Sequence, residues 1–187
     1  MENKEIVAKK CSLFDEPLQY GEIFAESGMF PDVKSASQGA VKVIAGKEIG
    51  ITPLQAQNAF YFVNGRLGLT AQTAGALIKK SDKYDYEVKS HTKDECSIIF
   101  YLINGEKKEL GVSTFNKEMA AMAGVINKSN WKNYPMNMMF ARALANGAKW
   151  FCPDALQGFC TVEELQDIEP EKKVITIEGG EVKESVQ

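Results

Sequence analysis

Arg142, Asn146 and Lys149 fall within one narrow arc of a helix, where each residue advances by about 100°. They lie in Trp131–Pro153, WKNYPMNMMFARALANGAKWFCP, surrounded by Met136, Met138, Met139, Phe140, Leu144, Trp150 and Phe151. That setting is the interior of a protein, and a cation placed there needs an anion to offset its desolvation. A buried carboxylate would serve, but the segment supplies none of its own. An external anion such as phosphate would serve as well.

Other cations extend the pattern. Of the 22 basic side chains only Arg66 and Arg142 are arginines, and guanidinium suits bidentate phosphate contacts and stacking on a base. Arg66 follows an Asn-Gly turn, from which its side chain can reach outward. Each arginine can instead form a structural salt bridge. Lys79 and Lys80 close a helix, where cations also suit the helix dipole; Lys117 opens one, where the dipole disfavours it. Lys128 and Lys132 flank Trp131 in a polar loop. An aromatic ring among cations is a platform for stacking bases beside phosphate contacts, or else a core anchor that holds the loop down.

Several chemistries are excluded. The lone histidine, His91, cannot build a triad or a His-based metal site. Cys11, Cys96, Cys152 and Cys160 form no C-x-x-C pair, so they read as reduced, mostly buried thiols. No phosphate-cradling glycine motif is present. Asp82, Asp85, Glu87, Asp94 and Glu95 read as solvated turn charges better than as ligands of a nuclease metal. The expectation is therefore no catalytic residue, no metal, no cofactor and no enzyme activity. The methionines of the 136–139 segment, with Met119 and Met122, read as core filler or an adaptable subunit contact.

The net charge of −3 hides a division along the 187 residues. Residues 1–30 sum to −3, residues 31–153 to +6, and residues 154–187 to −6. A basic middle between acidic ends suggests a core that binds a polyanion and a tail that competes for the same groove or recruits a partner. No segment has the length and hydropathy of a membrane span, and the N-terminus lacks a signal-peptide pattern. The chain is expected in the cytoplasm.

Positioning falls to a short list of elements. Residues 1–10 are expected to fray. Helices are predicted at Glu16–Ser27, from Asp32 or Ser35 to Glu48, and at Pro53–Asn58. Ala59–Val63 and Arg66–Leu69 form a hairpin around Asn64-Gly65, and Thr70 caps a helix over Ala71–Lys80. Tyr84–Thr92, Cys96–Ile103 and Lys107–Val112 form an antiparallel meander with an Asn104-Gly105 turn. A helix at Phe115–Ala123, capped by Ser113 or Thr114, a polar loop, the main helix Pro135–Trp150 and a short helix opened by Thr161-x-x-Glu164 follow. The class is α+β: a small antiparallel sheet, hairpin plus three-stranded meander, packed with helices. The predicted divisions are an N-terminal helical segment (1–30), a core (31–168) and an acidic, weakly structured tail (169–187), in which VITIEG can pair as an edge strand.

The residues Asn130–Ala143, N-W-K-N-Y-P-M-N-M-M-F-A-R-A, followed by F-C-P-D-A-L-Q-G-F-C-T-V-E-E at Phe151–Glu164, resemble the RecT family of phage and prophage single-strand annealing proteins. G-I-T-P-L-Q-A-Q-N-A-F-Y-F-V-N-G-R-L-G-L-T-A at Gly50–Ala71 and F-N-K-E-M-A-A-M-A-G at Phe115–Gly124 extend the likeness over about residues 35–168. The resemblance implies a Rad52-like annealing-protein core and ATP-independent binding and annealing of complementary single-stranded DNA in phage-type homologous recombination. It implies a homo-oligomer, a ring or helical filament holding the nascent duplex. It points to a bacterial host's cytoplasm, with a phage exonuclease or host single-strand-binding protein as a further partner. Trp131, Arg142 and Lys149 match the family's aromatic–cation series; Arg66, Lys79, Lys80, Lys117, Lys128, Lys132 and Asn146 complete the expected DNA-binding set. The rival expectations are a regulatory phage module that binds protein and has lost DNA binding, and a magnesium nuclease.

Overall fold

A computed structural model of the chain describes residues 14–167, with side chains through Gln166, and the backbone of residues 173–178 and 181–186. The expected fraying of residues 1–10, and Cys11, lie outside the described residues. The protein is α+β and divides into two compact units, Met1–Tyr61 and Phe62–Gln187. This division lies at 61/62, whereas the boundaries drawn from sequence follow residues 30 and 168.

The first unit holds α1 (Asp15–Glu26), α2 (Ala36–Glu48) and α3 (Pro53–Ala59). Ser35 caps α2 by accepting the Gln38 N–H at 3.3 Å. Thr52 and Gln55 form a reciprocal capping box before Pro53, which fills a first-turn position where no N–H is needed. Helices α1 and α2 pack backbone to backbone: a methyl on Gly39 would meet Gly21 Cα at 2.7 Å.

The second unit is built on a meander of β3 (Tyr84–His91), β4 (Glu95–Asn104) and β5 (Glu106–Asn116). Alternate residues of β4, Cys96, Ile98 and Phe100, are fully buried, as period-two alternation requires for one covered face. They pair with Phe115, Ser113 and Gly111 of β5. The meander runs further than its sequence suggests. Phe115 belongs to β5, and Asn116 caps α5 (Lys117–Met122) by accepting the Met119 N–H at 2.9 Å. Pairing with β4 wins this stretch for the sheet, so Ser113 and Thr114 are strand residues and not caps.

Helix α7 (Pro135–Phe151) crosses the sheet and also touches α4 (Ala71–Lys80). Met138, Met139, Ala141, Ala143, Leu144, Ala145, Gly147 and Ala148 are buried along it. Gly147 sets the approach, because a methyl there would collide with the Phe100 ring of β4. The polar loop before α7 contains one short helix, α6 (Ser129–Asn133). The hairpin β1 (Phe60–Val63) and β2 (Arg66–Leu69) turns at Asn64 and Gly65 with φ of 51° and 74°. Both values are left-handed, which Asn and Gly tolerate best.

Helix α8 (Val162–Asp167) packs against β2 and α7. It leans so closely on β2 that a methyl at Gly68 would meet Leu165 Cδ1 at 2.8 Å. In the tail, β6 (Lys173–Glu178) pairs antiparallel with β7 (Glu181–Val186), so the VITIEG segment does take up strand pairing. Among the described residues, no helix is long and apolar enough to cross a membrane.

Candidate nucleic-acid interface

The anion missing from the α7 sequence comes from α8. Lys149 lies in the last turn of α7, where a cation also suits the helix dipole. Its Nζ donates to Glu164 Oε1 at 2.8 Å. The other Glu164 oxygen, Oε2, accepts the Thr161 N–H at 2.9 Å, while Thr161 Oγ1 accepts the Glu164 N–H at 3.4 Å. One carboxylate therefore both caps its helix and pairs with α7. Burial would raise the Glu164 carboxyl, but the Lys149 ammonium and the Thr161 donors bring it below its ordinary range. Pairing in turn holds the Lys149 ammonium above its own.

The second α7 cation, Arg142, acts on Glu163 through its charge. Burial raises the Glu163 carboxyl, against the opposing pull of backbone N–H groups, including that of Ala71, and of the Arg142 charge. Its Oε2 is buried without a hydrogen-bond partner. The half-buried Arg142 guanidinium lies 5.9 Å from the centre of the Phe115 ring, a cation–π approach.

Two further segments meet the same helix. Lys128 Nζ donates to the Gln166 carbonyl at 3.0 Å. Asn64 Nδ2, in the turn that precedes Arg66, donates to the Leu165 carbonyl at 3.4 Å. Arg66 itself is exposed at the first position of β2. Asn64, Lys128 and Lys149 thus converge on one short acidic helix.

Searches of protein-family models, of curated proteins and of solved structures gave no match.

Of the remaining expected residues, Trp131 belongs to the core, and Lys79 and Lys117 have partners elsewhere. Trp131 is only 4% exposed, and its ring packs on Phe115 with centroids 5.8 Å apart. It anchors α6 to the core and does not present a face for stacking. The Trp131 Nε1 donor is buried without a hydrogen-bond partner. The ring also lines a cavity of about 330 Å³ with Lys128, Ser129, Asn130, Met138 and Gln166. Lys79 is committed elsewhere: it pairs with Asp85, donates to the Tyr86 carbonyl at 2.6 Å and lies over the Tyr86 ring. Lys117 is 3.9 Å from Asp94. Lys80 and Lys132 are exposed, and Asn146 is half-buried on α7.

Two of the acidic residues expected as solvated turn charges, Asp85 and Glu87, lie within β3 and pair with lysines. Lys107 reaches both Asp85, at 3.0 Å, and Glu87. Against the effect of burial, Lys79 and Lys107 bring the Asp85 carboxyl down to about 2. No group of three or more His, Cys, Asp or Glu among the described residues is arranged to hold a metal ion. His91 Nε2 lies 3.0 Å from the Met136 carbonyl, and its ring is near Phe140.

Sequence reasoning missed Glu163 and Glu164 as partners of the cationic stripe. The signal was present in the capping box, but a capping box ordinarily accounts for its own glutamate. It also missed Lys42, which is fully buried, pairs with Asp32 at 2.7 Å and donates to the Gln57 carbonyl at 3.1 Å. Lysine on an otherwise apolar helix face is easily taken for a surface residue.

Proposed function

We propose that this protein binds single-stranded DNA through its backbone phosphates and anneals complementary strands without ATP, on a Rad52-like core of the kind the RecT resemblance implies. The observation that carries this reading is the gathering of Lys128, Lys149 and the Arg66 hairpin around α8, from segments far apart in sequence. Phosphate contacts position a strand without reading it, which leaves base edges free to test a complement. A modest number of cations per subunit is enough if subunits assemble along the strand, because linked sites multiply weak contacts. A ring or filament of copies, working with an exonuclease or a host single-strand-binding protein, completes the proposal.

Trp131 enters this reading as the residue that holds the Lys128–Lys132 segment in place. Direct stacking on DNA would require it to leave the core.

The test is fluorescence anisotropy of labelled oligonucleotides over a salt series, with a two-strand annealing assay lacking nucleotide. Arg142→Ala and Lys149→Ala are expected to weaken binding across sequences. Each should lower the log–log salt slope by about one, as the loss of a phosphate contact does. Unchanged slopes would remove these two residues from the interface. No binding by the native chain at low salt would favour a module that binds protein, and magnesium-dependent degradation of the strand would establish a nuclease.

A further inference from the structure

Helix α8 does more than complete the fold. Capping requires only one oxygen of Glu164, the one facing Thr161; the other is aimed at Lys149 on a different helix. Glu163 has a buried oxygen with no hydrogen-bond partner, an arrangement that costs folding free energy. A residue chosen only to build the second unit would not carry that cost. Glu164 faces Lys149 of α7, while Lys128 holds the far end of the helix by its Gln166 carbonyl. The sequence neighbours of Glu163 and Glu164 continue the charge: residues 154–187 sum to −6.

We propose that α8 is a built-in competitor for the polyphosphate backbone: Glu164 occupies the position that a strand phosphate takes on Lys149, and Glu163 adds a second carboxylate on the same helix. This rests on the DNA-binding reading of that surface and adds its regulation. A strand must exchange phosphate for carboxylate at Lys149. Short or sparse contacts then fail, and only a long polyanion engaging several subunits displaces α8. Because α8 is anchored by the buried Leu165, exchange does not require the helix to unfold; it requires the Glu164 side chain to turn away.

The test replaces charge and keeps shape. Glu163→Gln, Glu164→Gln and the double variant retain side-chain volume, and glutamine supports a capping box as glutamate does. Far-UV circular dichroism and thermal unfolding establish that the variants are folded. Two probes are titrated, a labelled oligonucleotide and inorganic polyphosphate. Glu164→Gln and the double variant are expected to bind both more tightly, by about two- to fivefold, the range that release of one partly exposed ion pair supplies. The salt slope should steepen by about one for each cation freed. Unchanged affinity and slope for both probes in the folded double variant would overturn the competitor role, even if Arg142→Ala weakened DNA binding and upheld the interface. Tighter polyphosphate binding with no oligonucleotide binding by any variant would keep the competitor and discard the DNA reading. Tighter binding that persists when Arg142 and Lys149 are both alanine would also overturn it, because the gain would then reflect net charge alone.

Discussion

At the scale of single residues, the two units place a lysine–carboxylate pair in different settings. Lys149 is exposed and reaches a largely buried carboxylate, Glu164, at 2.8 Å. Lys42 is fully buried, its ammonium held between Asp32 and the Gln57 carbonyl, 5.0 Å from the centre of the Tyr61 ring. Burial pushes the Lys42 ammonium below its ordinary range, against the support of Asp32. Asp32 is partly exposed, so the two partners are not equivalent. Removing Asp32 leaves a buried charge without its main counter-ion, and Asp32→Ala should cost about 3–5 kcal/mol. Lys42→Met leaves a carboxylate that water can reach and replaces the ammonium with an apolar group, so it should cost clearly less. Urea unfolding of both single variants and the double variant would measure this. The asymmetry is wrong if Lys42→Met proves the more damaging change.

At the scale of elements, α7 is placed by what it lacks at Gly147. The helix sits on β4 closely enough for the Phe100 ring to fill the space a methyl would need. Gly147→Ala should gain intrinsic helix propensity of about 1 kcal/mol. It should lose more through overpacking, which costs about 1–3 kcal/mol in a tight core. A net loss of stability by thermal unfolding is expected, and a net gain would mean that the sheet yields. This contact shows why the elements were more legible than their arrangement. Alternation along Glu95–Asn104, the two Asn-Gly turns, Thr70 and Thr161-x-x-Glu164 are local signals, and each marks the element it should. The end of β5 was misplaced because Phe115 is held by pairing with Cys96 across the sheet, which no local pattern reports. The cationic stripe was legible from helical spacing. Its carboxylate partner was not, because Lys149 and Glu164 are brought together only by the chain's return after Pro153. Trp131 illustrates the same limit: cations on either side suggest an exposed platform, while the ring that packs on it, Phe115, comes from β5.

At the scale of the whole molecule, acid should act on the second unit through its paired carboxylates. Asp85, brought to about 2, and Glu87, Asp154 and Glu164, all held low, belong to Phe62–Gln187. For Asp85 the largest single influence is burial, which raises it, but the ammonium groups of Lys79 and Lys107 together outweigh that. A carboxylate whose folded value is depressed contributes stability that is fully present above its unfolded value of about 4. The contribution is lost as pH falls through the folded value. Glu163, raised by burial, runs the other way and gains by protonation, but it stands against four groups. The second unit should therefore lose stability as pH falls from about 4 to about 2. Trp131 and Trp150 are the only tryptophans, and both lie in that unit, so fluorescence reports on it selectively. Urea titrations followed by tryptophan fluorescence should show a midpoint that falls across this window. Asp85→Asn keeps an acceptor for the Tyr86 N–H, which donates to Asp85 Oδ1 at 2.8 Å, and removes the titrating charge. Its midpoint should start lower at neutral pH and fall less steeply on acidification. An identical slope in this variant would show that the lysine–carboxylate network on the sheet does not set the acid response.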